Sequence, residues 1–343
     1  MRTATLDDVA RAAGVSRATA SRVVNGSTTV GVDARQSVQL AVERLAYVPN
    51  RAARSLANRR SNSVGVVIAE PTSRVFGDPF FLEILRGIGA GLAAREMQLA
   101  LLMPQSPEEE RRLEQYLLGG HVDGAIFVSL HGEDPMPERL HLRGVPVVVG
   151  GEPPRGARVS YVDNDNYGGA FAAVNHLTGQ GRRTIASIIG PLDMPAAASR
   201  RLGYLDALRA AGLTPRPELE EGGDFSREGG ARAMQELLAR CPEIDAVFAA
   251  SDLMASGALH SLSAAGRKVP AEVAIVGFDD SALALSTQPP LSSVRQSVAM
   301  MGRELVSVLL QAVDARDHVL RRVFLATELV VRESSGGVPT GKR

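Results

Sequence analysis

Hydrophobic positions repeat with two different periods along this chain. Near the start, Leu6, Val9, Ala10 and Ala13 recur at helical spacing, and Ala20, Val23 and Val24 do so again after a break at Gly14-Val15. Thr5 followed by Asp8 reads as a capping box with Asp in place of the usual Glu, Ser16 is placed to cap a second helix, and Asn25-Gly26 ends it. A third helix is expected from about Asp33 to Leu45. Arg17, Ala18, Ser21 and Arg22 share the polar side of the second helix. Two short helices, a tight turn and a polar second helix make a helix-turn-helix pattern.

From Val64 onward, short continuous apolar runs alternate with helical patterns. Strands are expected at Val64 to Ala69, Leu99 to Met103, Ala125 to Val128, Val147 to Val149, Ile185 to Ile189, Val247 to Ala250 and Val273 to Val276. Helices are expected at about Phe81 to Arg95, Glu108 to Leu118, Gly168 to Thr178, Arg200 to Ala211, Arg227 to Arg240 and Leu253 to Ala265. Continuous strands with helical crossovers mean parallel sheets covered on both faces. There are too many strands for one ordinary sheet, and Val162-Asp163-Asn164 reads as a crossing between two. The body is therefore read as two doubly wound lobes with a cleft between them.

Composition adds an asymmetry. The 343 residues carry no formal net charge, yet residues 1–60 hold ten arginines against four acids, so the remainder is correspondingly acidic. A basic head on an acidic body suggests a nucleic-acid-binding module joined to something else. Cys241 is the single cysteine, which excludes an intramolecular disulfide and suits a reducing compartment. The N-terminus lacks the apolar segment of a secretion signal, and no apolar run is long enough to span a bilayer. A cytoplasmic location, with no membrane partner, is expected.

The head resembles the LacI/GalR family of bacterial repressors. The resemblance rests on Thr5-Leu6, Asp8-Val9-Ala10, Ala13-Gly14-Val15-Ser16, Thr19 and Ser21-Arg22-Val23-Val24-Asn25, and continues through Tyr47-Val48-Pro49-Asn50 and Ala53-Arg54-Ser55-Leu56-Ala57. It implies a pseudo-palindromic double-stranded DNA operator bound by a homodimer. DNA contacts would come from Thr5, Ser16, Arg17, Ala18, Thr19, Ser21, Arg22 and Asn25. A hinge helix carrying Asn50, Ala53 and Arg54 would enter the minor groove, where Leu56 unstacks a base step. Gly31 and Ala34 stand where the family usually has hydroxyl residues, removing a phosphate contact.

The body resembles the same family's effector domain, which is similar to periplasmic sugar-binding proteins. Its landmarks are Asp78-Pro79-Phe80-Phe81, Val122-Asp123-Gly124, Asp163-Asn164, Gly223-Asp224-Phe225-Ser226, Ser251-Asp252, Gly277-Phe278-Asp279-Asp280 and Pro290-Leu291. The expected architecture is an all-α helix-turn-helix domain (1–49), a hinge and linker (50–61), a two-lobed α/β periplasmic-binding-protein-like domain (62–333) and a disordered tail (334–343). The resemblance implies a first lobe of about 62–162 plus 292–321 and a second of about 163–291 plus 322–333. Ligands in such folds bind beyond the carboxyl ends of the strands. Asp279 would accept from vicinal hydroxyls, Arg200 would donate to ring and hydroxyl oxygens, and Phe225 would stack on the ligand. Ser251 matches a family polar position, Asp252 is expected to cap the following helix, and Phe76 and Phe80 could line the first-lobe wall. Gly150-Gly151 replaces an Asp found in some sugar-responsive members. Asp, Arg and one aromatic together suit a sugar better than a purine.

The leading reading is a DNA-binding transcriptional regulator, a repressor, controlled by a small molecule and most consistent with a sugar. The alternative is a solute-binding protein for sugar uptake; a sugar-converting enzyme lacks a visible catalytic constellation. No cofactor is implied, and the six histidines show no metal-ligand spacing. Gly336 to Lys342 mimics a phosphate-binding loop, but Arg343 stands where Ser or Thr is required. Gly87, Gly89 and Gly91 fall inside a helix and suggest close helix packing.

Overall fold

The computed structural model describes residues 4–27, 29–47, 60–132, 134–154, 156–315 and 319–337. They form two compact units, Met1–Ser61 and Asn62–Arg343. The hinge residues Asn50, Ala53, Arg54 and Leu56 lie outside the described residues.

The first unit contains α1 (Leu6–Ala13), α2 (Arg17–Val24) and α3 (Val32–Arg44). Thr5 and Asp8 close a reciprocal capping box on α1, with Asp8 N 3.3 Å from Thr5 Oγ1 and Thr5 N 3.0 Å from Asp8 Oδ2. Gly14 then takes a left-handed φ of 68°, which lets α2 start three residues later. Ser16 accepts from the backbone of Thr19 to cap α2, whereas Gly31 caps α3 without a side-chain bond. Val9, Ala10, Ala20, Val38 and Ala41 form the small core where the three helices meet.

The second unit holds two six-stranded sheets. The first runs β2 (Gln98–Leu102), β1 (Ser63–Ile68), β3 (Gly124–Val128), β4 (Val147–Gly150), β5 (Ser160–Asn164) and β11 (Arg322–Leu325), all parallel. The second runs β7 (Glu220–Gly222), β6 (Ile185–Ile189), β8 (Ala246–Ala249), β9 (Ala274–Asp279), β10 (Ser292–Arg295) and β12 (Glu328–Val330), with β12 antiparallel at its edge. Each sheet is covered on both faces. In the first, Val64, Val66, Ile68, Ile126 and Val128 join one core, while Val67, Ala125 and Phe127 join another on the opposite face.

The covering helices are α4 (Thr72–Gly77), α5 (Pro79–Ala93), α6 (Pro107–Leu118), α7 (Met136–Leu142), α8 (Asn166–Gly179), α9 (Pro195–Ala210), α10 (Arg227–Arg240), α11 (Asp252–Ala264), α12 (Ala282–Ser286) and α13 (Val298–Ala315). Helices α5 and α13 cross with backbones in contact. A Cβ on Gly87 would stand 2.2 Å from the Ala299 carbonyl, and one on Gly302 would stand 2.5 Å from that of Ile84. Gly91 faces Val306, but Gly89 faces open space, so close packing explains two of the three helical glycines.

The lobe boundaries differ from expectation near the C-terminus. Ser292–Arg295 pairs with Val276–Asp279 and belongs to the second lobe; Arg322–Leu325 pairs with Tyr161–Asn164 and belongs to the first. These strands are short and half polar, so their hydrophobic pattern does not announce which sheet accepts them. The chain therefore passes between lobes after β5, after β10 and after β11. The crossings are tied together: Asn164 Nδ2 donates to Gln296 Oε1 at 3.0 Å, and Thr327 Oγ1 donates to the Asp165 carbonyl at 3.1 Å.

The expected tail also begins too early. Ser334 and Ser335 are fully buried, and Ser334 Oγ donates to the Ile275 carbonyl while accepting from Ser292 N. A polar, small-residue composition reads as disorder only when the lobe that receives it is out of view.

Candidate functional site

A cleft of about 750 Å³ of open space lies at the carboxyl ends of both sheets and is walled by both lobes. Arg200, Phe225, Ser251, Asp279 and Phe80 all line it. Phe76 does not: it is 58% exposed, because α4 turns its side chain to solvent. Of the adjacent pair, Phe81 enters the core and Phe80 meets it edge-on at 5.4 Å between ring centroids.

Arg200 sits in the second turn of α9, since that helix starts at Pro195 and not at Arg200. Its guanidinium is buried, stacked 3.8 Å from the centroid of Phe278. Nε donates to Asn166 Oδ1 at 2.8 Å and Nη1 to the Ala250 carbonyl at 2.6 Å. Asp279 Oδ1 lies 3.8 Å from Nη1 and accepts from Gln296 Nε2 at 2.6 Å. Burial pulls the Arg200 pKa down, opposed by Asp279, Asp163, Asp78 and Asp252. Burial likewise pushes Asp279 well above the usual carboxylate range, opposed by Arg200.

Three lining residues hold strained backbone. Ser129 and Phe225 both have φ of 62°, and Asp279 has φ of 112°. Such conformations cost about 1–3 kcal/mol each and persist where the surroundings impose them. Phe225 points the tip of its ring at Gly190, where a Cβ would come within 2.3 Å of Phe225 Cζ.

Ser251 lines the cleft and also takes the capping role expected of Asp252. Ser251 is the N-cap of α11, accepting from Met254 N at 3.2 Å, and its position also borders the cleft. Asp252 is the first helical residue; its buried carboxylate accepts from Ser281 N, Ser281 Oγ and Ser293 Oγ. Both residues can reach a helix end, and only the turn geometry decides between them.

Sequence reasoning missed several cleft residues. Asp163, Asn164, Asn166, Gln296, Asp78 and Arg74 all line it. Three of these stood in quoted landmarks, Asp163 and Asn164 in Asp163-Asn164 and Asp78 in Asp78-Pro79-Phe80-Phe81, which was the available signal. Gln296 had none. At the cleft's edge, Glu70 is buried and receives Arg74 Nη1 at 2.6 Å, Ser129 Oγ at 2.6 Å and His131 Nε2 at 2.9 Å. Burial alone would raise Glu70, but the bonds from His131 and Ser129 and the charge of Arg74 bring it below its ordinary value.

In the first unit, Arg17, Ala18, Arg22 and Asn25 are exposed on α2, with Ser21 half-buried between them. Asn25 Nδ2 reaches Ser21 Oγ at 3.3 Å, and Ser16 Oγ lies 2.9 Å from Thr19 Oγ1. Arg17 Nε stands 3.2 Å from Asp7 Oδ1, an exposed pair that costs little to exchange for another anion. Thr5 is exposed at the start of α1.

Residues 5–50 match the profile described as "Bacterial regulatory proteins, lacI family", and residues 174–335 match "Periplasmic binding protein-like domain". The HTH-type transcriptional regulator CelR of Thermobifida fusca is 46% identical over 96% of this chain and 98% of its own length. This chain belongs to the LacI family. It is a transcriptional regulator. Another LacI-family relative, the transcriptional repressor CytR of Escherichia coli K12, is 33% identical over 98% of this chain and 97% of its own. Among solved structures, a transcriptional regulator CelR–cellobiose complex is 45% identical with a TM-score of 0.78, covering 97% of this chain and 100% of that one. The lac repressor dimer bound to operator and the anti-inducer ONPF is 27% identical with a TM-score of 0.87, covering 97% and 99%. Among the described residues of this LacI-family chain, no group of three His, Cys, Asp or Glu could hold a metal ion, and no helix is long and apolar enough to cross a membrane.

Proposed function

We propose that the protein is a homodimeric, cytoplasmic repressor whose operator affinity is set by a sugar bound between the two lobes, and that it acts by binding and not by catalysis. The observation that carries this reading is the cleft: donors and acceptors from both lobes converge on one space, with Arg200 and Asp279 3.8 Å apart. A ligand held by both lobes has different affinities for their open and closed arrangements, which is what lets it shift a linked equilibrium. The relative solved as a CelR–cellobiose complex supports a β-linked glucose disaccharide as the first effector to try. Arg22 and Arg17 would read the major groove, with Ala18 beside a thymine methyl and Thr5, Ser16, Thr19, Ser21 and Asn25 fixing the approach. Asn50, Ala53, Arg54 and Leu56 would engage the minor groove.

The test is operator affinity by fluorescence anisotropy, on DNA from upstream of the protein's own gene, with and without cellobiose. A specific complex whose affinity changes at least ~10-fold with the sugar is expected, the scale of a ~1–3 kcal/mol coupling. Binding that no sugar alters would overturn the effector assignment, and no specific binding would overturn the repressor reading.

A further inference from the structure

The polar lining of the cleft is unbalanced. Asp78, Glu152, Asp163 and Asp279 face it against two guanidiniums, Arg74 and Arg200. Arg74 Nη1 is engaged by Glu70, its buried Nε having no partner among the described residues, and Arg200 is engaged by Asn166 and the Ala250 carbonyl and stands 3.8 Å from Asp279. Asp163 and Asp78, by contrast, accept hydrogen bonds from uncharged donors. Asp163 accepts from Asn164 N at 2.8 Å, Glu152 N at 3.1 Å and Asn166 Nδ2 at 3.0 Å; Asp78 accepts from Phe80 N at 2.9 Å. A second observation concerns Asn164, which is 3% exposed and lines the cleft. Its Nδ2 donates to Gln296, but its Oδ1 has no partner among the described residues. A buried amide oxygen of this kind calls for a donor from a ligand.

We propose that the cleft selects its effector by charge, taking an uncharged or cationic polyhydroxy compound and rejecting the same sugar bearing a phosphate or carboxylate, with Asp78 and Asp163 setting the discrimination. This rests on the sugar-effector reading above. Hydroxyls donate to carboxylates in charge-assisted bonds, and a further one satisfies Asn164 Oδ1. An anion meets like charges in a partly desolvated site, where their repulsion is stronger than in water. Burial already pushes Asp163 up to about 6 and raises Asp78. An entering anion would drive these groups to take up protons, so residual anion binding strengthens as pH falls.

The test is isothermal titration of the full chain with cellobiose and three derivatives in which one primary hydroxyl becomes a carboxylate, a phosphate or an amine. The two anions should bind at least ~100-fold more weakly than cellobiose and the amine within ~10-fold, the amine controlling for size. In Asp163→Asn and Asp78→Asn the penalty on the anions should shrink at least ~5-fold. Asp78→Asn carries the test if Asp163→Asn fails to fold, as judged by circular dichroism. An anionic derivative within ~10-fold of cellobiose would overturn the charge rule while leaving the sugar effector standing. Penalties unchanged in the folded variants would overturn the assignment to these carboxylates. An anion that binds where cellobiose does not would overturn both readings, as would a series in which no member binds.

Discussion

His131 in the first lobe reaches Asp193 in the second: its Nδ1 lies 2.7 Å from Asp193 Oδ2. Its Nε2 lies 2.9 Å from Glu70 Oε1, so both ring nitrogens face carboxylates. Ionised carboxylates only accept, so both bonds form together only when both nitrogens carry protons, and the geometry favours the imidazolium. The Gly132 amide donates to the Asp193 carbonyl at 2.9 Å beside it, and Arg74 lies 5.2 Å from the Phe225 ring centroid. These contacts join the lobes in the arrangement that encloses the cleft.

The clasp has a pH signature. The bond to Glu70, helped by Asp193 and opposed by burial, raises His131 above its ordinary 6.5. Glu70 lies in the same lobe as His131, so only the Asp193 bond couples the ring's charge to closure: protonation favours the joined lobes through that bond, and the contribution is lost as pH rises through the raised value. Effector affinity should weaken as pH rises through that value in the native protein. In His131→Gln it should be severalfold weaker near neutrality and flatter with pH. Calorimetric titration across that range is the check, and an unchanged slope in the variant would remove His131 from the closing equilibrium.

Asp279→Ala should leave operator binding intact while abolishing the response to effector. The change removes an acceptor that holds Gln296 and lines the cleft, at an expected cost of about 1–3 kcal/mol or more of effector affinity. Arg200→Ala should give the same phenotype with non-additive losses, because both groups would hold one ligand. Operator affinity with and without effector, in single and double variants, measures this.

Arg22→Ala should cost about 1–3 kcal/mol of operator affinity and relax base preference at one symmetric position per half-site. Arg22 is exposed on the outer face of α2, free of the helix core. Affinity across a library of operator variants decides it; a uniform loss on all sequences would make Arg22 a phosphate contact.

Gly87→Ala should destabilise the second unit by about 1–3 kcal/mol, since its Cβ would collide with the Ala299 carbonyl at 2.2 Å. Gly89→Ala, two residues on and facing open space, should instead stabilise by about 0.4–1 kcal/mol through lower unfolded-state entropy. Urea midpoints of the two variants should move in opposite directions.

Sequence alone determined the elements whose cause is local. The capping box at Thr5 and Asp8, the turn at Gly14 and the apolar stripes of α1 and α2 lie within a few residues of one another, so the helix-turn-helix was legible. The same holds for β1, β3 and β6, whose burial on both faces writes a continuous apolar run. Arg200, Phe225 and Asp279 were found because they stand in motifs that resemble a known family. What tertiary structure decided has a different physical origin. The partner sheets of β10 and β11 are chosen by backbone hydrogen bonds to strands far away in the chain, which side-chain pattern does not encode. Helix α13 was missed altogether, although its apolar face packs against α5 through Gly87 and Gly302. Gln296 reaches Asp279 and Asn164 only because three separate chain crossings converge, and His131 meets Asp193 across 62 residues of sequence. Contacts of that range depend on how two lobes close, and no local pattern of residues records it.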